Sequence, residues 1–102
     1  MKRIINRKMY NTETAKLVDT AASGARDSFD AYYWIEHLYK KRTGEYFIAG
    51  EGGALSRWRE VYSDGFTNGW GIKPLTDEEA RDWMEKYGDP DVYIEEFGEP
   101  DE

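Results

Sequence analysis

The chain is 102 residues long, with 21 Asp/Glu against 14 Lys/Arg, a formal net charge of −7 and no cysteine. That length allows one domain burying about 60–70% of its unfolded surface, and the missing thiols exclude a disulfide framework, a thiolate nucleophile and a cysteine zinc site. No apolar run approaches the ~20 residues of a membrane helix, and residues 1–10 lack the apolar stretch of a signal peptide, so a cytoplasmic protein is expected.

The first segment reads as a hairpin: residues 3–5 and 8–10 flank Asn6 and Arg7, and Asn tolerates the positive φ of a two-residue turn. Asn11, Thr12, Glu13 and Thr14 supply side-chain oxygens for a tight turn or short cap. Residues 16–18 add a brief strand, and 20–30, with Ser23, Gly24 and Ser28, read as loop. Two aromatic, β-branched runs follow at 31–39 and 45–49, joined by a turn that ends at Gly44; strands are the natural reading, with a helix over 30–41 as the rival. Within the first run, Tyr33, Ile35, His37 and Tyr39 alternate with Tyr32, Trp34, Glu36 and Leu38. Neither set is cleanly polar, so the alternation does not identify the buried face.

The glycine cluster at 50–53 is expected to break the sheet with a turn of positive φ. Residues 54–62 are ambiguous, because Leu55, Trp58 and Tyr62 fit helical spacing. Residues 63–71 read as a flexible loop and 72–75 as a short edge strand, since Pro74 cannot donate to a ladder. A helix then starts at a capping box, Thr76 with Glu79, and Leu75 and Ala80 sit at the hydrophobic-staple positions. Ala80, Trp83, Met84 and Tyr87 make one apolar stripe. Gly88 is placed to end the helix with positive φ. Asp89 and Pro90 resemble a cap followed by proline at the first helical position, opening a second helix over 92–97 that ends at Gly98. The predicted fold is α+β: a three- to four-stranded antiparallel sheet with an N-terminal hairpin, one amphipathic helix packed on it through Trp83, Met84 and Tyr87, and a short second helix. Residues 1–98 form the domain, and 99–102 an acidic tail that frays.

Charge is divided unevenly along this framework. Residues 1–62 carry 11 Lys/Arg and 8 Asp/Glu, a net of +3, whereas 63–102 carry 3 and 13, a net of −10. From residue 76 onward there are 12 carboxylates against Arg81 and Lys86 alone. Such a block repels itself and either stays solvated or meets a basic surface. It also holds Trp83, Tyr87, Tyr93 and Phe97, unlike a disordered acidic tail, which is poor in aromatics.

Catalytic chemistry finds little support. His37 is the single histidine, so a Ser-His-Asp arrangement is unconvincing and a hydrogen-bonded strand histidine is the plainer role. The 50–53 glycines lack the spacing of a phosphate loop. Carboxylate pairs such as Glu78/Asp82, Asp82/Glu85 and Glu95/Glu96 lie where water keeps both members ionised, whereas acid–base work needs one desolvated. They also lack EF-hand spacing. No enzyme activity, metal or cofactor is therefore expected. The basic residues Lys2, Arg3, Arg7, Lys8, Lys40, Lys41, Arg42, Arg57 and Arg59 raise direct nucleic-acid binding. The acidic balance of the whole chain opposes it; keeping sheet edges soluble or pairing internally is the simpler role.

Several stretches resemble a family of small, acidic proteins carried by mobile genetic elements and phages of Gram-positive bacteria: 2–15 (KRIINRKMYNTETA), 38–47 (LYKKRTGEYF) running into 50–53 (GEGG), 74–80 (PLTDEEA), and the acidic end. The family usually has Asn-Gly in the first turn, where this chain has Asn6 and Arg7. The acidic balance is similar to that of anti-CRISPR and antirestriction proteins, and the resemblance implies no catalytic residues. The expected function is an anti-CRISPR-type inhibitor that binds a Cas effector or its ribonucleoprotein through a DNA-mimicking face. Glu78, Asp82, Glu85, Glu95 and Glu96 form that electrostatic face, with Tyr93 and Phe97 as partner-binding anchors. An antitoxin-like or regulatory module neutralising another basic protein is one alternative. A small nuclease or RNA-binding protein using His37 and the basic half is the other.

Overall fold

The computed structural model describes residues 1–24 and 30–102. Strands β1 (Lys2–Ile5) and β2 (Lys8–Asn11) pair as the predicted hairpin. Asn6 and Arg7 both adopt left-handed φ, 51° and 67°, as a two-residue turn matching the strand twist requires. Asn11 then accepts from the Glu13 amide through its side chain at 2.9 Å and turns the chain.

The main sheet has four antiparallel strands in the order β3 (Lys16–Ala22), β4 (Trp34–Lys40), β5 (Tyr46–Gly52) and β8 (Gly69–Leu75). The rival helix over 30–41 is absent. β3 is longer than the brief strand expected at 16–18: residues 20–22, read as loop, continue the ladder to Ile35 after a register shift between Leu17 and Asp19. Residues 23, 24 and 30 lie in no strand or helix, as that loop reading expected, and 25–29 lie outside the described residues. β8 lies at the sheet edge, where Pro74 deprives no neighbour of a hydrogen bond.

The glycine cluster does not break the sheet. β5 runs through Gly52, and Gly50 pairs with Gly71 and Gly52 with Gly69 on β8. None of these four has positive φ; at Gly50, Gly52 and Gly69 the reason for glycine is close approach, whereas a Cβ on Gly71 would make only ordinary contact with Trp58. A Cβ on Gly50 would strike the Trp58 indole, and one on Gly52 would strike Ser56 and the Tyr33 carbonyl. The paired glycines thus make a bare floor over which the chain crosses after leaving β5. That crossing is turns, not a helix: Trp58 lies on the floor while Leu55 is 49% and Tyr62 54% exposed. The expected loop at 63–71 instead contains β7 (Gly65–Thr67), which pairs with β6 (Glu60–Tyr62) just before it, and the first residues of β8.

Helix α1 (Asp77–Tyr87) starts at the predicted capping box. Thr76 Oγ1 accepts from the Glu79 amide at 3.1 Å, and Glu79 Oε1 accepts from the Thr76 amide at 2.9 Å. Gly88 ends it with φ of −83°, not the positive φ expected; a side chain there would collide with Met84. Helix α2 (Pro90–Phe97) is capped by Asp89, and Gly98, with φ of 88°, closes it. No described helix is long and apolar enough to cross a membrane.

Side chains alternate across the sheet. One face, with Leu38, Tyr46, Ile48 and Ala21, packs on Ala80, Trp83 and Met84 of α1. Tyr87, predicted on the same buried stripe, is 38% exposed and meets Trp34 and Trp83 edge-on. On the other face the β1–β2 hairpin seats Tyr10 edge-on against the fully buried Phe47, which stacks on Tyr39 at 5.3 Å.

Gly50→Ala should lower the unfolding free energy by about 2 kcal/mol, the usual cost of overpacking, measured by urea denaturation. The same change in a Trp58→Ala background should cost clearly less. Equal costs in the two backgrounds would refute the glycine floor.

Candidate functional site

The outward face of α1 carries Glu78, Asp82 and Glu85 at helical spacing, opposite the buried Ala80, Trp83 and Met84. All three are exposed, as is Glu95 on α2, and none forms an ion pair among the described residues. Arg81 lies in the same stripe, but its guanidinium sits 5.4 Å from the Phe97 ring centre. The two helices are held in place from below: Asp19 Oδ2 on β3 accepts from the Asp89 amide at 2.9 Å, anchoring the α1–α2 turn to the sheet.

Glu96 does not join this surface. Its side chain is only 8% exposed and bonds Lys40 Nζ at 2.8 Å, while the Tyr46 hydroxyl donates to it at 2.6 Å. It is the peg that seats α2 on β4 and β5. Helical phase carries the signal that reveals this, because Glu96 falls three residues after Tyr93 and one before Phe97, on the inward side, whereas Glu95 faces out. Phe97 is likewise half-buried against Tyr46 and Tyr93, with centroids 5.5 and 5.3 Å apart. Tyr93 is half-buried and lines a cleft between the helices. The structure therefore brings Glu78, Asp82, Glu85 and Glu95 to the surface and assigns Glu96 and Phe97 to packing.

Several basic residues of the first half make contacts within the protein while staying partly or fully exposed, whereas Lys2, Arg7 and Arg42 stand at the surface. Lys8 and Lys41 both reach Glu45, at 2.8 and 3.4 Å. Lys40 takes Glu96, and Arg57 Nε meets the buried Glu36 at 2.6 Å. Arg3 lies over Trp70 and Arg59 over Phe66. Ion pairing thus takes cations to Glu36, Glu45 and Glu96, and among the described residues the acids of the α1 outer face form no ion pair. His37 is half-buried on β4 and shares a 2.8 Å hydrogen bond between its Nδ1 and Thr20 Oγ1. Among the described residues, no group of three or more His, Asp or Glu could hold a metal ion.

The protonation energetics follow the same division. Burial pushes the Glu96 carboxyl up, but hydrogen bonds from Lys40 and Tyr46 and the nearby lysines outweigh it, and the net shift is downward. Burial and the adjacent Glu96 carboxylate push the Tyr46 phenol up. The Lys8 hydrogen bond, with those from Thr43 and Lys41, lowers Glu45 to about 2. At the α1 cap, hydrogen bonds from the Thr76 amide and hydroxyl lower Glu79.

Comparison with protein-family models, curated proteins and solved structures returns no match. The functional reading therefore rests on the residues themselves.

A carboxyl held below its unfolded pKa stabilises the fold above that value and loses the effect as pH falls through the folded pKa. For Glu96 the unfolded value is 4.5, so stability should be level above it and decline below it. Urea midpoints measured from about pH 6 down to about pH 3 should show this acid limb, and Glu96→Gln should make it shallower, the remainder coming from Glu45 and Glu79, whose carboxyls are also lowered. An unchanged limb in that variant would show that the Lys40–Glu96–Tyr46 cluster does not stabilise α2.

Proposed function

We propose that this protein is a non-catalytic inhibitor that binds a basic, nucleic-acid-holding protein and occupies its groove with the outer face of α1 and α2. The single observation that supports this reading is an ordered helix whose exposed carboxylates Glu78, Asp82 and Glu85 form no ion pair among the described residues, although cations there pair with carboxylates elsewhere. A rigid array of negative charge is attracted to the same surfaces that bind phosphates, and electrostatic complementarity of this kind sets association rate and partner choice. The resemblance to mobile-element proteins makes a Cas effector or its ribonucleoprotein the first candidate target, with α1 acting as the DNA mimic. Glu95 extends the face onto α2, and Tyr93 contributes an aromatic edge.

Affinity capture with mass spectrometry, from hosts with and without CRISPR loci and with and without guide RNA, should recover a Cas effector. Recovery of a different basic protein would assign the protein to the antitoxin-like class instead. The triple variant Glu78→Lys, Asp82→Lys, Glu85→Lys should keep its thermal transition yet lose at least about tenfold in partner affinity at low salt. Unchanged binding would overturn the mimicry reading.

A further inference from the structure

The α1–α2 pair encloses an apolar cleft of about 240 Å³ lined by Met84, Gly88, Pro90, Tyr93, Ile94 and Pro100, with Glu85 at its border. Ile94 is 36% exposed and Met84, at its floor, is buried. The cleft is smaller than the roughly 300–1,000 Å³ of small-molecule sites and of a size to receive one side chain. Its surroundings are acidic: Glu85 on α1, Asp89 and Asp91 at the turn, and Glu95 on α2 are all exposed, and none is ion-paired among the described residues. An apolar centre inside a charged rim is the layout of a protein interface whose affinity comes from one buried anchor. The sign of the rim excludes an anionic occupant and a lipid headgroup phosphate.

We propose that this cleft receives a single aromatic or long aliphatic side chain of the partner, flanked on its own chain by lysine or arginine. This rests on the acidic-face reading and adds a second element to it. Carboxylates guide and orient the basic partner, and burial of one apolar side chain between Met84, Tyr93 and Ile94 sets the dissociation rate. It also separates recognition from charge alone, since a polycation lacking the apolar side chain would satisfy only the rim.

The test uses the full chain labelled with ¹⁵N and two acetylated, amidated pentapeptides, Lys-Lys-Trp-Lys-Lys and Lys-Lys-Gly-Lys-Lys, titrated at low salt. The tryptophan peptide should bind about tenfold more tightly, a ratio set by partial burial of the indole, and should shift the amides of Met84, Gly88 and Ile94. Ile94→Gln, an uncharged change at a partly exposed position, should erase that preference while leaving the glycine peptide unaffected. Equal affinity for the two peptides would overturn the cleft proposal but leave the acidic face standing. Failure of both to bind would overturn both. A concentration-dependent dimer in sedimentation, abolished by Ile94→Gln, would also overturn the proposal, by assigning the cleft to a second copy of the chain.

Discussion

Glu36 is the group on which the arrangement depends. At 3% exposure its carboxylate is out of water, a position that costs several kcal/mol unless each oxygen is satisfied. Oε1 accepts from the Trp83 indole at 2.9 Å, and Oε2 accepts from the Trp58 indole at 2.8 Å and from Arg57 Nε at 2.6 Å. These donors come from α1 and from the segment crossing the glycine floor, while Glu36 itself belongs to β4. One side chain therefore fixes three otherwise separate pieces of chain in register. Arg57, half-exposed, supplies the compensating charge. The four glycines, the two indoles and the carboxylate form one unit, since the floor lets Trp58 come low enough to reach Glu36.

This unit also shows where the sequence is readable and where it is not. Local chemistry reads well: the Asn6–Arg7 turn, the Thr76 and Glu79 cap, the Asp89–Pro90 helix start and the edge position of Pro74 all depend on neighbours a few residues away. Non-local packing does not. Glu36 lies in the alternating set that proves to be buried, and its presence there is what makes the two faces of β4 look equally mixed. Glycines whose role is to admit Trp58 look the same in sequence as glycines of a turn, because the residue they accommodate lies on a different segment. The same limit applies at the site. The exposure of Glu78, Asp82 and Glu85 follows from helical phase alone, whereas the role of Glu96 depends on Lys40 and Tyr46, more than fifty residues upstream for the first and fifty for the second.

Charge is thus organised by depth as well as by position along the chain. Carboxylates at 36, 45 and 96 serve the fold and have cationic partners, two of them with additional hydroxyl donors and one with two indole donors. Among the described residues, Glu78, Asp82 and Glu85 on the outer face of α1 form no ion pair. A net charge of −7 is therefore not a diffuse property of the surface. The excess lies in residues 76–102, where 12 carboxylates meet two cations and the capping box and the Asp19 contact fix the two helices, which turns a composition bias into a shaped electrostatic feature.

The edges of the main sheet carry a last implication. On one side Pro74 removes a donor from β8, and on the other the irregularity after Leu17 interrupts β3. Open ladders of this kind normally invite strand-by-strand polymerisation, and a missing donor or a bulge blocks it. A sheet with both borders blunted lets the molecule reach high concentration without zipping into fibres.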